Sequence, residues 1–313
     1  MNGSLLRAVA SRAVQSIPTL IGVVSLVFLL LHMVPGDPVD ALLGETAMEA
    51  DREALRQAMN LNQPLLLQYW HYMYGLLQGD WGVSLIDHRP VLTRITERIG
   101  ATAELALVAL LLAAVMAVTM GYIAARSANR MADYAAMSIS LCGISIPNFW
   151  LGPMLMMLFS IWLGWLPVSG SVEPGSIILP AITLGTALAA MLARLTRSCW
   201  LEAMESSAIM TARAMGASER SIWFKWSARL AVVPLLTMFA LQMGAVLGGA
   251  VITETVFDWP GLGLLTVEAI QRRDYPLVQG CVLTIALIYL LANLLADLLA
   301  MLLDPRQRCG ADP

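Results

Sequence analysis

Between Ala101 and Ala125 the chain runs 25 residues with one charged side chain, Glu104, close to one end. A helix needs about 20 mostly apolar residues to cross a bilayer. Spanning segments must satisfy every backbone group internally, so runs this long are read as helices. Five further stretches have the same character: Ile17–Val34, Asp133–Leu166, Ile177–Leu195, Leu230–Thr253 and Pro276–Leu303. Only 13% of residues are charged, against roughly 25% in soluble domains, so lipid is the expected solvent. The stretch from Asp133 is interrupted by Pro147-Asn148 and Pro153, which predicts one long or kinked span. The first run follows Arg7 and Arg12, and Met33-Val34-Pro35-Gly36-Asp37 offers no A-x-A cleavage pattern, so it is expected to stay as an anchor. The expected fold is an all-α membrane protein of six transmembrane helices.

Arg and Lys set the orientation. With the N-terminus inside, 12 of the 19 basic residues fall on inner segments, but only 6 of the 22 acids do. The bias predicts N-in, C-in. Residues 1–97 then form the first helix and an outer, periplasmic subdomain, residues 98–304 a five-helix transmembrane domain, and residues 305–313 a cytoplasmic tail.

Two segments between spans are long enough to fold by themselves. In the outer one, Thr46-x-x-Glu49 fits a capping box opening a helix through Met59. Leu65 to Leu77 carries Tyr69, Trp70, Tyr72 and Tyr74 among leucines, which suits a helix at the lipid–water boundary. Bracing the bundle and docking a partner are both open roles for this subdomain. In the inner one, Leu201 to Gly216 reads as a helix closed by a C-cap glycine. Ser218 is placed to cap a second helix through Trp223 and Lys225. The two would form a compact cytoplasmic elbow between spans four and five.

Several chemistries are excluded. A P-loop needs G-x-x-x-x-G-K-[ST], and the single lysine, Lys225, lies between Phe224 and Trp226. No G-x-S-x-G or H-E-x-x-H motif occurs, so no catalytic residue is expected. Cys142, Cys199, Cys281 and Cys309, like His32, His71 and His88, are scattered, so no metal site is expected. Proton- or sodium-coupled carriers place ionisable groups at mid-depth. Here Glu104 and Asp297 lie near span ends, and energy for transport is expected from another polypeptide. No nucleic-acid partner is expected.

The residues also carry a family likeness. Thr211-Ala212-Arg213-Ala214-Met215-Gly216, with Arg229 and Pro234 downstream, resembles the cytoplasmic "EAA" loop of ABC-importer permeases. It is most similar to the oligopeptide/dipeptide branch, which includes glutathione and nickel permeases. Pro35-Gly36-Asp37-Pro38, Gly143-Ile144-Ser145-Ile146-Pro147, Leu163-Gly164-Trp165-Leu166-Pro167, Ile178-Leu179-Pro180, Val256–Gly263, Arg273-Asp274-Tyr275-Pro276 and Asp304-Pro305-Arg306 match in order along nearly the whole chain. Met210 stands where many importers have an acidic residue, and Ser206-Ser207-Ala208 departs from the acidic-aromatic pair of the branch. The resemblance implies an inner-membrane permease that pairs with a homologous second permease, two ATP-binding subunits and a periplasmic substrate-binding protein. ATP and Mg would sit on those partners, leaving no cofactor in this chain. Glu205, Thr211, Ala212, Arg213, Ala214 and Gly216 would form the ATPase-coupling loop. Peptides, glutathione among them, are the implied cargo, with nickel or a metal chelate as the alternative. A stand-alone secondary carrier and a purely structural assembly protein are the rivals of other classes.

Three further groups stand out. Gly244-x-x-x-Gly248 with Gly249 allows close helix approach, at a permease–permease interface or inside the bundle. Phe257–Gly263, containing Trp259 and Gly261, reads as a tight re-entrant turn, serving as a gate, a docking contact or an interfacial anchor. Pro147 and Asn148 place a polar group beside a broken helix, where a pathway residue or a partner for a freed carbonyl is expected.

Overall fold

The computed structural model describes residues 2–33, 39, 48–58 and 62–303. Thr46 of the capping box, Met59, the Pro35–Pro38 motif and Asp304-Pro305-Arg306 lie outside those residues. The described chain is helical: α1 (Asn2–Met33), α2 (Glu49–Ala58), α3 (Leu65–Leu77), α4 (Val91–Arg126), α5 (Met131–Ser145), α6 (Asn148–Trp162), α7 (Ile178–Glu205), α8 (Ser207–Ala214), α9 (Glu219–Phe257), α10 (Leu262–Gln271) and α11 (Tyr275–Leu303). Within α6 and α9, Met156–Trp162 and Ile222–Ser227 wind as π-helix. α1, α4, α7, α9 and α11 are each long and apolar enough to cross a membrane.

The sixth candidate differs from a kinked rod. α5 and α6 meet at 106°. Ile146 and Pro147 both take extended backbone angles, because a proline ring disfavours helix in the residue before it and removes one amide donor. The bent pair brings the count to six if it crosses as one span. A second difference lies at Leu201–Gly216. α7 runs on to Glu205, and Ser206 turns extended at φ −68°, ψ 148°, before α8 begins. A serine that caps the next helix interrupts what side-chain propensity alone would continue. α3 occupies Leu65–Leu77, as the leucine–aromatic pattern predicts.

The chain divides into two compact units, one built chiefly on Ala103–Trp259, the other on Ser11–Thr102 and Pro260–Ile288. In the first, α7 is the central helix. Its apolar window is 56% buried, against 28% or less for the other four spans. It packs against α5, α6 and α9. Its approach to α4 is so close that a Cβ on Gly121 would collide with Thr196 and the Ala193 carbonyl oxygen, and one on Gly185 would sit 2.9 Å from the Ala109 oxygen. Gly143 of α5 faces Thr186 and Ala190 at 3.2 and 3.3 Å from a built Cβ. Small residues at such points let backbones pack with little side-chain cost.

In the second unit Val91, Ile95, Leu262, Leu265, Leu277, Val278 and Cys281 form the core. Gly280 of α11 lies directly against Val91 and Ile95 of α4. α3 is held to α1 by a hydrogen bond between Tyr69 Oη and Ser25 Oγ (2.7 Å), by Gln68 Oε1 at 3.2 Å from His32 Nε2, and by stacking of Tyr72 on Phe28. Burial pushes the Tyr72 phenol well above its ordinary pKa. Leu66, Trp70, Tyr74 and Leu77 stay exposed on α3.

Candidate functional site

α8 and the turn after it form the elbow. Ser206 caps α8 by accepting a hydrogen bond from the Ile209 amide. Ile209 and Ala212 are fully buried, and α8 packs on the π-helical turn Ile222–Ser227. The rest of the helix faces outward: Ser207, Ala208, Met210, Thr211, Arg213 and Ala214 are exposed, as are Glu205 before it and Met215 after it. Gly216 takes φ +83°, a conformation that side chains with a Cβ strongly disfavour. Ser218 caps the next turn by accepting from the Ser221 amide, as its position in the sequence predicts. Arg213 and Glu219 close the bend with a bidentate pair, Nε–Oε1 2.8 Å and Nη2–Oε2 3.3 Å. Of the six loop residues singled out in the sequence, Ala212 is thus packed inward, and the other five lie at the surface.

Behind the elbow sits an aromatic cluster that propensity did not reveal. Tyr122 of α4 packs edge-on against Trp200 of α7 and Trp223 of α9, and tilted against Phe224. Arg126 lies over the Trp223 ring, 5.6 Å from its centre, within cation–π range. These rings hold the root of the elbow where α4, α7 and α9 converge.

The glycine pattern in α9 divides. Gly244 is buried, and a Cβ there would meet Tyr289 at 2.8 Å and Asn293 at 3.1 Å, both on α11. A Cβ on Gly249 would meet Leu184 of α7 at 3.0 Å and Asn148 of α6 at 3.7 Å. Gly248 faces open space, alongside exposed Leu241 and Ile252. So Asn148, just after the Pro147 break, is brought beside Gly249, and α6, α7 and α9 converge there.

The turn after α9 is closed by unusual backbone. Asp258 is left-handed at φ 52°, the Trp259 amide donates to the Glu254 carbonyl at 2.9 Å, and the Gly170 amide donates to that of Phe257 at 2.9 Å. Trp259 is 3% exposed and Glu254 fully buried, so Trp259 is an internal residue rather than an anchor facing lipid. Gly261 is extended and opens α10.

The second unit carries a small open cleft lined by Ser84, Asp87, Arg94, Glu268, Arg272 and Asp274 among others. Asp274 is buried and accepts from Ser84 Oγ (2.5 Å) and the Leu85 amide (3.2 Å). Arg94 donates to Asp87 at 2.6 Å. Burial works to raise the Asp87 pKa, but hydrogen bonds involving Ser84 and the Arg89 amide, with the Arg94 and Arg89 charges, hold it below the usual carboxylate range.

Comparison with known proteins decides what kind of bundle this is. The family described as "Binding-protein-dependent transport system inner membrane component" matches residues 117–308, and its N-terminal companion matches residues 5–106. The chain belongs to this permease family. It is a multi-pass inner-membrane protein, and its relatives are permease subunits of ABC importers. The glutathione transport system permease protein GsiC of Escherichia coli (strain K12) is 41% identical over 304 residues, covering 97% of this chain and 99% of the relative. GsiC of Salmonella choleraesuis is equally similar, at 41% over the same shares. Among solved structures, a chain of the MetNI methionine ABC transporter in inward-facing conformations matches with a TM-score of 0.54 and 17% identity, covering 68% of this chain and 97% of that one. That likeness concerns the permease fold alone.

Proposed function

We propose that this permease forms half of the pathway of an ATP-driven importer of peptides, with glutathione as its cargo, and that the α8 elbow receives the stroke of a separate ATPase. The orientation is N-in, C-in, which puts the elbow in the cytoplasm and α2, α3 and the cleft outside. Its partners are a homologous second permease, two ATP-binding subunits that hold ATP and Mg, and a periplasmic binding protein. The observation that carries the coupling role is the elbow's geometry. One face is buried through Ile209 and Ala212, and the other presents Thr211, Arg213 and Ala214. A short helix anchored this way transmits a push instead of absorbing it. Near-full-length likeness to permeases named for glutathione supports the cargo and weighs against nickel.

Reconstituting the permeases, ATPases and binding protein in vesicles tests the reading. Uptake of labelled glutathione is expected to need ATP and the binding protein. Gly216→Val, strained at φ +83°, should abolish uptake while the complex still assembles. Unaided uptake by this chain, or unchanged uptake in the Gly216 variant, would overturn the coupling role.

A further inference from the structure

The elbow hangs from α7, and α7 is pinned close above it by one carboxylate. Asp133, in the first turn of α5, accepts from Arg197 Nε to Oδ1 and from Arg197 Nη2 to Oδ2, both at 2.7 Å. Its Oδ2 also accepts from the Asn129 amide at 2.9 Å. Asn129 itself is left-handed, at φ 62°. The Asp133 side chain is 3% exposed and that of Arg197 28%. A single group therefore ties together the turn after α4, the start of α5 and the lower part of α7. The forked pair fixes direction as well as distance, because a guanidinium presents two parallel donors to the carboxylate plane.

Its position in the chain matters more than its strength. Arg197 lies eight residues before Glu205, the last residue of α7, or about 12 Å along the helix axis. Farther along the same pair of helices, Gly143 of α5 is set against Thr186 and Ala190 of α7. α5 and α7 are thus joined at two separated levels, and two antiparallel rods joined twice do not pivot on each other. α5 ends in the 106° bend, and beyond the bend Asn148 lies beside Gly249.

We infer that Asp133 and Arg197 are positioning residues that weld α5 to α7, so that displacement of the elbow moves the bent α5–α6 pair rather than flexing the α7 stem. The inference rests on the coupling reading above. It makes the ion pair a determinant of how much ATP is spent per solute moved, while neither residue touches cargo or nucleotide.

The test separates coupling from assembly. Arg197→Lys keeps the charge and loses the fork; Asp133→Asn loses the charge; Asp133→Arg combined with Arg197→Asp reverses the pair. In the reconstituted complex, Arg197→Lys should keep ATPase activity within about twofold of wild type and lower glutathione uptake at least fivefold, so ATP spent per solute rises. The reversed pair should recover part of the uptake. Wild-type stoichiometry in Arg197→Lys overturns the proposal, as does a parallel fall of ATPase, uptake and complex yield, which is the signature of a merely structural pair. A second measurement is independent of transport. Spin labels at Met210→Cys and Ser145→Cys, both exposed positions, in a background with the native cysteines replaced by serine, should give a narrow distance distribution that broadens in Arg197→Lys. An unchanged distribution overturns the weld even if the importer reading stands. Wild-type complexes without ATP-driven uptake would instead sink the importer reading, leaving the weld to the distance measurement.

Discussion

The two compact units hold their helices together by different means. In the Ala103–Trp259 unit the seams are made mostly by missing side chains: Gly121 and Gly185 between α4 and α7, Gly143 between α5 and α7, Gly249 against Leu184. In the Ser11–Thr102 and Pro260–Ile288 unit, directed polar contacts join segments distant in sequence, such as Ser84 with Asp274, Tyr69 with Ser25 and the Leu262 amide with Thr102 Oγ1. In lipid the hydrophobic effect does little between helices, so close backbone packing must supply the attraction. Polar contacts latch instead where irregular chain such as residues 78–90 carries backbone groups that need partners. Gly280 against Val91 shows that the second unit uses the first device too where two long helices meet.

Breaking the packed seam should have the largest effect. Gly121→Leu drives a side chain into the α7 backbone, which cannot yield as a flexible side chain would, and overpacking costs about 1–3 kcal/mol or more. Loss of the monodisperse species on size-exclusion chromatography in detergent is the expected result. Gly248→Leu, into open space, is the control and should leave the isolated chain's profile unchanged. Removing the polar latch should matter less. Asp274→Ala strips the acceptor from Ser84 and the Leu85 amide, at roughly 1–3 kcal/mol for buried donors left unpaired. It should speed tryptic cleavage at Arg89 without dissociating the bundle. The smallest effect belongs to Asp87. Its pKa is lowered on folding, so the stability it contributes is present above its unfolded value of about 4 and is lost as pH falls through the lower folded value. Its side chain is 30% exposed beside Arg94, which limits the contribution to less than about 1 kcal/mol. Thermal midpoints of wild type and Asp87→Asn should differ slightly at neutral pH and converge on acidification toward pH 2.

Much of the elbow was legible. The Gly216 turn and the Ser218 cap are local devices, written in residues that each favour one backbone state. The break at Ser206 was not, because Leu201–Glu205 and Ile209–Met215 are all compatible with helix, and only the hydrogen bond from Ile209 to Ser206 shows where the chain turns. The glycine pattern was legible in part. Gly244-x-x-x-Gly248 has the spacing of a close approach, and Gly244 makes one, yet approaches tighter still are made by single glycines, Gly121 and Gly280, that the sequence reading did not mark. Asp133 sits at the edge of an apolar stretch and Arg197 among inner-side charges. Nothing in a linear reading pairs residues 64 positions apart.

Length and apolarity of the runs, and the absence of a phosphate-binding lysine motif, settled from sequence that this is a helical membrane chain without that ATPase site. Those properties depend on composition within a window, and hydrocarbon thickness imposes the same demand on every span. Which helix lies at the centre, which face of α8 is buried, how sharply α5 meets α6 and which carboxylate grips Arg197 were decided only by the tertiary structure. Each depends on which distant segments meet, and against lipid many helix faces are nearly equal in hydrophobicity until packing separates them.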